Sequence, residues 1–252
     1  MVNALVVVAL LYWYNGFSFH TSAKTDIHIN KNMEQTQKEQ VVDFARSIQW
    51  LGQATVKFIY QGQTIYIDPY QLKDSDKADI ILITHDHTDH LSMPDIKKIA
   101  GAGTKLIVAK ACEEKLKTEG YSNVQPVLPG ETVKFSNLII KAVPAYNVIK
   151  PMHKKSSNYV GYVMDFGGIS VYHTGDTERI TEMKQIRCDI ILLPLGQTYT
   201  MNSVDEAVEA VLDTKATVAI PIHYGMYEGT KEDAMKFREK LTKRGIEVLW
   251  GK

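Results

Sequence analysis

The stretch ITHDHTDHLS, residues 83–92, packs three histidines and two aspartates into the six positions from His85 to His90. The chain has 8 histidines in all, so one short run claims a large share of them. An almost entirely apolar segment, ADIILIT (78–84), leads straight into it. An apolar run of that length suits a strand covered on both faces. Alternate side chains of an extended run share a side, so His85 and His87 project together. Asp89 and His90 follow in the turn towards a helix and aim slightly apart from the first pair. Two ligand pairs directed at neighbouring points suit two metal ions about 3.5–4 Å apart. A cluster of surface histidines at a helix start would carry the same letters, but the buried strand feeding the run argues against it.

Outward from this run, the chain reads as short strands broken by turn residues. ATVKFIY and TIYIDPY are rich in β-branched and aromatic residues, and QGQ between them suits a hairpin. Helices are expected at about 93–100 and 111–118, around the strand KLIVA. ETVKF, NLIIKAV, YVGYVMDF and ISVYHT continue the strands, and CDIILLPLG repeats the character of ADIILITHD. Ser203 with Glu206 reads as a capping box for a helix to about Leu212. A last helix runs from Thr230 to about Arg244, and IEVLW closes the chain as a strand. Two β-rich halves packed sheet to sheet, with helices outside, follow from this order. Four ligands are too few for two ions. YHTGDTE supplies Asp176 and IPIHYGM supplies His223, both where a strand hands over to a loop. His173, on a strand, reads as a packed histidine rather than a ligand.

At 252 residues, with 29 basic and 29 acidic side chains, the chain can bury a sizeable core and has no global field to attract nucleic acid. Two cysteines, Cys112 and Cys188, are too few for a disulfide framework and read as idle thiols. ALVVVALLYWY (4–14) resembles the apolar region of a secretory signal, with a small-residue cleavage site ending at Ala23. Residues 1–23 are therefore expected to be a signal peptide, with periplasmic or extracellular export. An uncleaved membrane anchor is the alternative, and a mis-set start would leave the protein in the cytoplasm. Residues 24–44 read as a polar linker, in which His28 is idle as His20 is before it, and 45–252 as one domain.

The HxHxDH pattern at 85–90, GDT at 175–177 and His223 in PIHYG together resemble the metallo-β-lactamase fold superfamily. More narrowly, WLGQATVKF, IYIDP, VPAYN, GYVM and LPLGQTYTM are similar to its broad branch of metal-dependent hydrolases. That branch lies near the ascorbate-phosphate lactonases and the phospholipase D enzymes acting on N-acyl phosphatidylethanolamine. The resemblance covers about residues 45–252 and implies an α/β fold, an αββα four-layer sandwich. It implies that His85 and His87 bind a first metal, that Asp89, His90 and His223 bind a second, and that Asp176 bridges both. Asp68 matches an early aspartate that supports a ligand histidine; the plain alternative is a turn former before Pro69. One departure stands out. Where the family usually places a histidine after the strand around 140–146, this chain has PAYN, with Asn147, and the nearest histidine is His153. Either His153 replaces that ligand, or the first metal keeps an extra water and His153 faces substrate or solvent. Asn147 is a weaker candidate ligand.

Imidazole and carboxylate together favour Zn2+, with Mn2+ or Fe2+ as substitutes. Two such ions would activate a bridging water as hydroxide, oriented by Asp89 and Asp176, against an ester, phosphodiester or lactone. The general acid is not identifiable, with His153 and Tyr224 as guesses. Two dications, two carboxylates and one hydroxide sum to about +1, which favours a small anionic substrate. Lys150, Lys154 and Lys155 would add to this if their loop rims the pocket; a solvated basic loop is the alternative. A non-catalytic metal-binding relative is the competing reading. A redox di-iron protein is disfavoured, since that chemistry resembles HxExDH and His87 stands at the carboxylate position. Nucleic acid is not expected as a partner, and a membrane only through an uncleaved N-terminus.

Overall fold

The computed structural model describes residues 22–73 and 76–250, with side chains from Gln35 onward. The apolar run at 4–14 and His20 lie outside the described residues. Residues 1–38 and 39–252 form two compact units, and the second holds both sheets and every donor group of the site.

The first sheet contains β1 (Gln49–Gly52), β2 (Thr55–Tyr60), β3 (Gln63–Ile67), β4 (Ile80–Ile83), β5 (Lys105–Ala109) and β6 (Val124–Val127), in that spatial order. The second contains β7 (Thr132–Phe135), β8 (Leu138–Pro144), β9 (Val160–Asp165), β10 (Ser170–His173), β11 (Ile190–Pro194), β12 (Val218–Ile222) and β13 (Glu247–Val248), again as successive neighbours. Both sheets are mixed: β3 to β6 and β10 to β13 run parallel, and the remaining pairs are antiparallel. Gln61 and Gly62 turn β2 into β3 with both φ angles positive, at 49° and 78°. That is the two-residue turn whose twist matches a hairpin.

Among the described residues, five α-helices complete the fold: α1 (Ser22–Ser47), α2 (Met93–Ile99), α3 (Glu113–Thr118), α4 (Val204–Thr214) and α5 (Lys231–Thr242). Strand alternation sorts the core. On β11, Ile190 and Leu192 join the core shared by the two sheets, while Ile191 and Leu193 pack with Val208 and Val211 of α4 and Phe237 of α5. The chain therefore forms the αββα sandwich of an α/β domain. Tyr162 ties the layers together, its hydroxyl lying 2.7 Å from the Ile83 carbonyl and 3.2 Å from that of Ile107.

Several local expectations need correction. Residues 24–44, read from the sequence as a polar linker, lie within α1. Glutamine, glutamate and lysine are good helix formers, and Val41, Val42 and Ala45 of α1, with Ile48 just past its end, are buried. Phe44 meets Phe166 with ring centroids 5.0 Å apart. The second compact unit begins at Glu39. The capping box at α4 is half formed. Ser203 Oγ accepts from the Glu206 amide at 3.0 Å, but the Glu206 carboxylate accepts from Arg179 and Asn202. The full box is at α5, between Thr230 and Asp233.

Candidate metal centre

The donor residues sit in loops that leave the C-terminal ends of β4, β8, β10 and β12. β4 hands over directly to His85, which is buried, with His87 half-buried beside it. His85 Nε2 lies 3.1 Å from His87 Nδ1, and His153 Nε2 approaches the same His87 nitrogen at 3.2 Å. His90 is fully buried, and its Nε2 is 3.5 Å from both Asp89 Oδ2 and Asp176 Oδ2. His223 Nε2 is 3.1 Å from Asp176 Oδ2 and 4.0 Å from Asp89 Oδ2. Asp176 Oδ2 thus stands among four imidazoles, with His153 and His85 at 3.6 and 4.0 Å.

Three overlapping groups could each hold an ion: His85 with His87 and His153, His85 with His90 and Asp176, and Asp89 with His90 and His223. Within each group the donor atoms lie within 4.8 Å of one another. The residues present fit a cation. His90 Nε2 is buried without a hydrogen-bond partner and faces two carboxylates, while its Nδ1 is taken by Asp68. A buried polar atom with no partner is costly unless something joins it.

The electrostatics follow from this crowding. Burial works against charge on His90 and His223, but nearby carboxylates outweigh it. Asp176 and Asp68 hold His90 well above the ordinary histidine range, and Asp176 with Glu228 brings His223 to about 9. Burial and the neighbouring His90 keep His85 well below that range. Burial would raise the Asp176 carboxyl, yet His223 and His90 pull it well below the usual carboxylate range. A metal that binds His90 and His223 must displace any proton their ligating nitrogens carry.

Behind the donors stands a layer of fixed partners. Asp68, with φ at 45°, accepts from the Thr84 amide at 2.8 Å and the Thr84 hydroxyl at 2.6 Å, and places Oδ2 2.8 Å from His90 Nδ1. Glu228 does the equivalent for His223, with Oε1 2.8 Å from Nδ1. Its other contacts are the amides of Thr198 and Tyr199 and the Thr200 hydroxyl. Gln53 is buried with Nε2 2.9 Å from Asp89 Oδ2 and 2.7 Å from His223 Nε2. The sequence did not single out Glu228 or Gln53. Gln53 lies inside WLGQATVKF, but only its packing against Asp89 gives it a role.

Asn147 places its amide nitrogen 3.3 Å from His153 Nδ1 and donates to the Tyr199 carbonyl at 2.8 Å. It therefore lies on the side of the ring away from the donor cluster. Both nitrogens of His173 are engaged by backbone, Nε2 with the Ala54 carbonyl at 3.0 Å and Nδ1 with the Gly175 amide at 3.2 Å, so it is a packing residue. Gly161 and Gly175 permit the close approach that delivers Asp176. A Cβ on Gly161 would lie 2.6 Å from the Thr174 carbonyl oxygen, and one on Gly175, where φ is 64°, would lie 2.7 Å from that of Val160. Both cysteines are buried and unpaired.

A cavity of about 490 Å3 opens over the cluster, with Met152, Tyr199 and Tyr227 on its walls. Lys150, Lys154 and Lys155 are not among the residues lining it. Lys150 reaches the Thr200 carbonyl and Asn202, and Lys155 reaches Glu182.

The sequence model of the beta-lactamase superfamily domain matches residues 47–223. A UPF0173 metal-dependent hydrolase of Thermoplasma volcanium is 35% identical over 214 residues, covering 79% of this chain and 93% of the relative. A crystallised protein of Parabacteroides distasonis, described as a candidate metal-dependent hydrolase, is 34% identical with a TM-score of 0.70, over 81% of this chain and 91% of that one. The structure of a metallo hydrolase from Ignicoccus hospitalis, at 24% identity and a TM-score of 0.68 over 81% and 93% of the two chains, bears on the fold alone.

Proposed function

Because this chain belongs to the beta-lactamase superfamily and, within it, to the UPF0173 metal-dependent hydrolases, we propose that it hydrolyses an ester, phosphodiester or lactone with two divalent ions, of which zinc suits the donor set best. The observation that carries this reading is the convergence of donors on Asp176 from two sides. His85, His87 and His153 gather on one side, and Asp89, His90 and His223 on the other. On this reading His153 takes the place of the ligand that the resemblance leaves open at Asn147, and Asn147 supports its far nitrogen. Divalent ions supply two things when bound: they lower the pKa of water towards neutrality, and they stabilise negative charge on the oxygen of the group under attack.

The chain's own residues do the rest. Asp89 and Asp176 direct oxygens into the cavity and can receive the proton that the attacking water gives up. Gln53 holds Asp89 by its amide, so that carboxylate keeps its aim. Asp68 and Glu228 fix the ring orientation and basicity of His90 and His223. Residues that crowd the floor leave substrate to enter from the open side, past Met152 and Tyr227. Export directed by a signal peptide at residues 1–23 belongs to the same proposal.

Metal analysis of the purified chain beside a His153→Ala variant, with turnover of a generic phosphodiester such as bis(4-nitrophenyl) phosphate, tests this. The expected result is two ions per chain, falling to about one in the variant, with turnover reduced at least tenfold. One ion in the parent protein would sink the two-metal reading. Two ions in both proteins would move His153 from ligand to substrate contact.

A further inference from the structure

Among the described residues, eleven large apolar side chains are exposed, and six of them lie on three loops at the site: Val148, Ile149, Met152, Tyr199, Met226 and Tyr227. Single exposed apolar residues are ordinary, but a concentration of them around a concave opening marks a binding surface. The loop carrying Val148 and Ile149, 65% and 77% exposed, is not held by burying them. Instead the buried Glu178 carboxylate accepts from the backbone amides of Val148, Ile149 and Lys150, at 2.8, 2.8 and 2.9 Å. A buried charge thus holds an apolar edge out in water. Three of the six, Met152, Tyr199 and Tyr227, line the cavity itself, whose floor is the donor cluster. Its volume of about 490 Å3 has room for an apolar chain beside a polar head, and apolar walls above a few convergent polar groups are the usual make-up of a ligand pocket.

We propose that this cavity takes an amphiphile: a hydrolysable polar head over the donor cluster, with an apolar chain lying against Met152, Tyr199 and Tyr227. The inference rests on the hydrolase reading and names the substrate class within it. For a carboxylic ester, water adds at the acyl carbon and the ester C–O bond breaks. One water hydrogen remains on the acid or passes to solvent, and the other leaves with the alcohol.

The test uses the full metal-bound chain and calorimetric binding of butyl-, hexyl- and octylphosphonate below their aggregation concentrations. Affinity should rise about two- to fourfold for each added methylene, the range expected for partial to full burial of a CH2 group. The rise should flatten in a Met152→Ser, Tyr227→Ser double variant and persist in Met235→Ser, an exposed methionine on α5. Equal affinity along the series, or a rise that the double variant keeps, overturns the proposal. Turnover of 4-nitrophenyl butyrate and octanoate, measured in parallel, separates the two levels. No turnover of either ester or of bis(4-nitrophenyl) phosphate, with phosphonate affinity still rising, defeats the hydrolase reading and upholds the apolar subsite. Turnover without chain-length dependence in binding does the reverse. Co-sedimentation with vesicles of phosphatidylcholine and phosphatidylglycerol, lost in the double variant, upholds the proposal with a bilayer lipid as the source. Its absence, with the phosphonate trend intact, upholds it with a free amphiphile.

Discussion

Glu228 occupies the space that a side chain on Gly196 would fill: a Cβ there would lie 1.7 Å from its Cδ. The glycine of LPLG is therefore the seat of a carboxylate that meets His223. Replacing Glu228 with glutamine keeps the volume and removes the charge. On the two-ion proposal, the expected outcome is a ten- to hundredfold loss of affinity for an ion held by Asp89, His90 and His223, read by competition with a chelator. The His85, His87 and His153 group should hold its ion as before. At this scale the sequence was legible where donors are contiguous, as in HDHTDH, or sit in short motifs such as GDT. Glu228 and Gln53 were not legible, because their function comes from neighbours far along the chain. The same residues show what the geometry costs: Gln53, Asp68, His153 and His223 all have φ between 45° and 56°. A non-glycine residue in that left-handed region costs on the order of 1–2 kcal/mol, and packing must offset it.

The segment from Tyr146 to Lys155 is an element without regular structure along most of its length, held by two carboxylates. Glu178 takes its backbone amides, and Glu182 takes the Tyr146 hydroxyl at 2.9 Å and Lys155 at 2.9 Å. Burial would raise Glu182, but Lys155, then its own backbone amide and Tyr146, pull it from 4.5 to about 2. A carboxyl lowered in the folded state stabilises it fully above the unfolded value, and that contribution disappears as pH falls through the folded value. Glu182→Gln should therefore lower the melting temperature at neutral pH, and the gap to the parent protein should close between about pH 4.5 and 2. A gap that stays constant over that range would remove Glu182 from the clamp. Strands were the most legible elements, since apolar runs such as IILI and IILLP admit few other readings. α1 was missed because only its last turns carry an apolar face, and the polar stretch before them has helix-forming composition but no periodicity.

Across the whole molecule, the donors are divided between the sheets. His85, His87, Asp89 and His90 follow β4 of the first sheet, while His153, Asp176 and His223 follow strands of the second. A bound ion joins the two layers as a crosslink joins two plates. With free metal at about a hundredfold over its dissociation constant, binding to the folded state alone adds about 2.7 kcal/mol. Removing the metal with a chelator should then lower the melting temperature by about 5–10 °C for a chain of this size. An unchanged melting temperature would mean that the donors do not hold an ion across the sheets. The layer order could be read from the sequence because parallel strands buried on both faces demand covering helices. How far apart the sheets set their donors could not, since it depends on side-chain packing between them.

That packing acts as a gauge block for the centre. Within each sheet the hydrogen-bond ladder fixes distances rigidly, but between sheets the fit of residues such as Val56, Ile190 and Leu192 does most of it, beside a few hydrogen bonds such as those of the Tyr162 hydroxyl. Close-packed interiors transmit small changes in volume, and coordination tolerates displacements of only a few tenths of an ångström. A methylene added or removed midway between the layers would shift one set of donors against the other without touching a ligand. On the two-ion proposal, the choice among ions of different radius would be written partly in the aliphatic core, where neither charge nor any metal-binding motif would lead one to search for it.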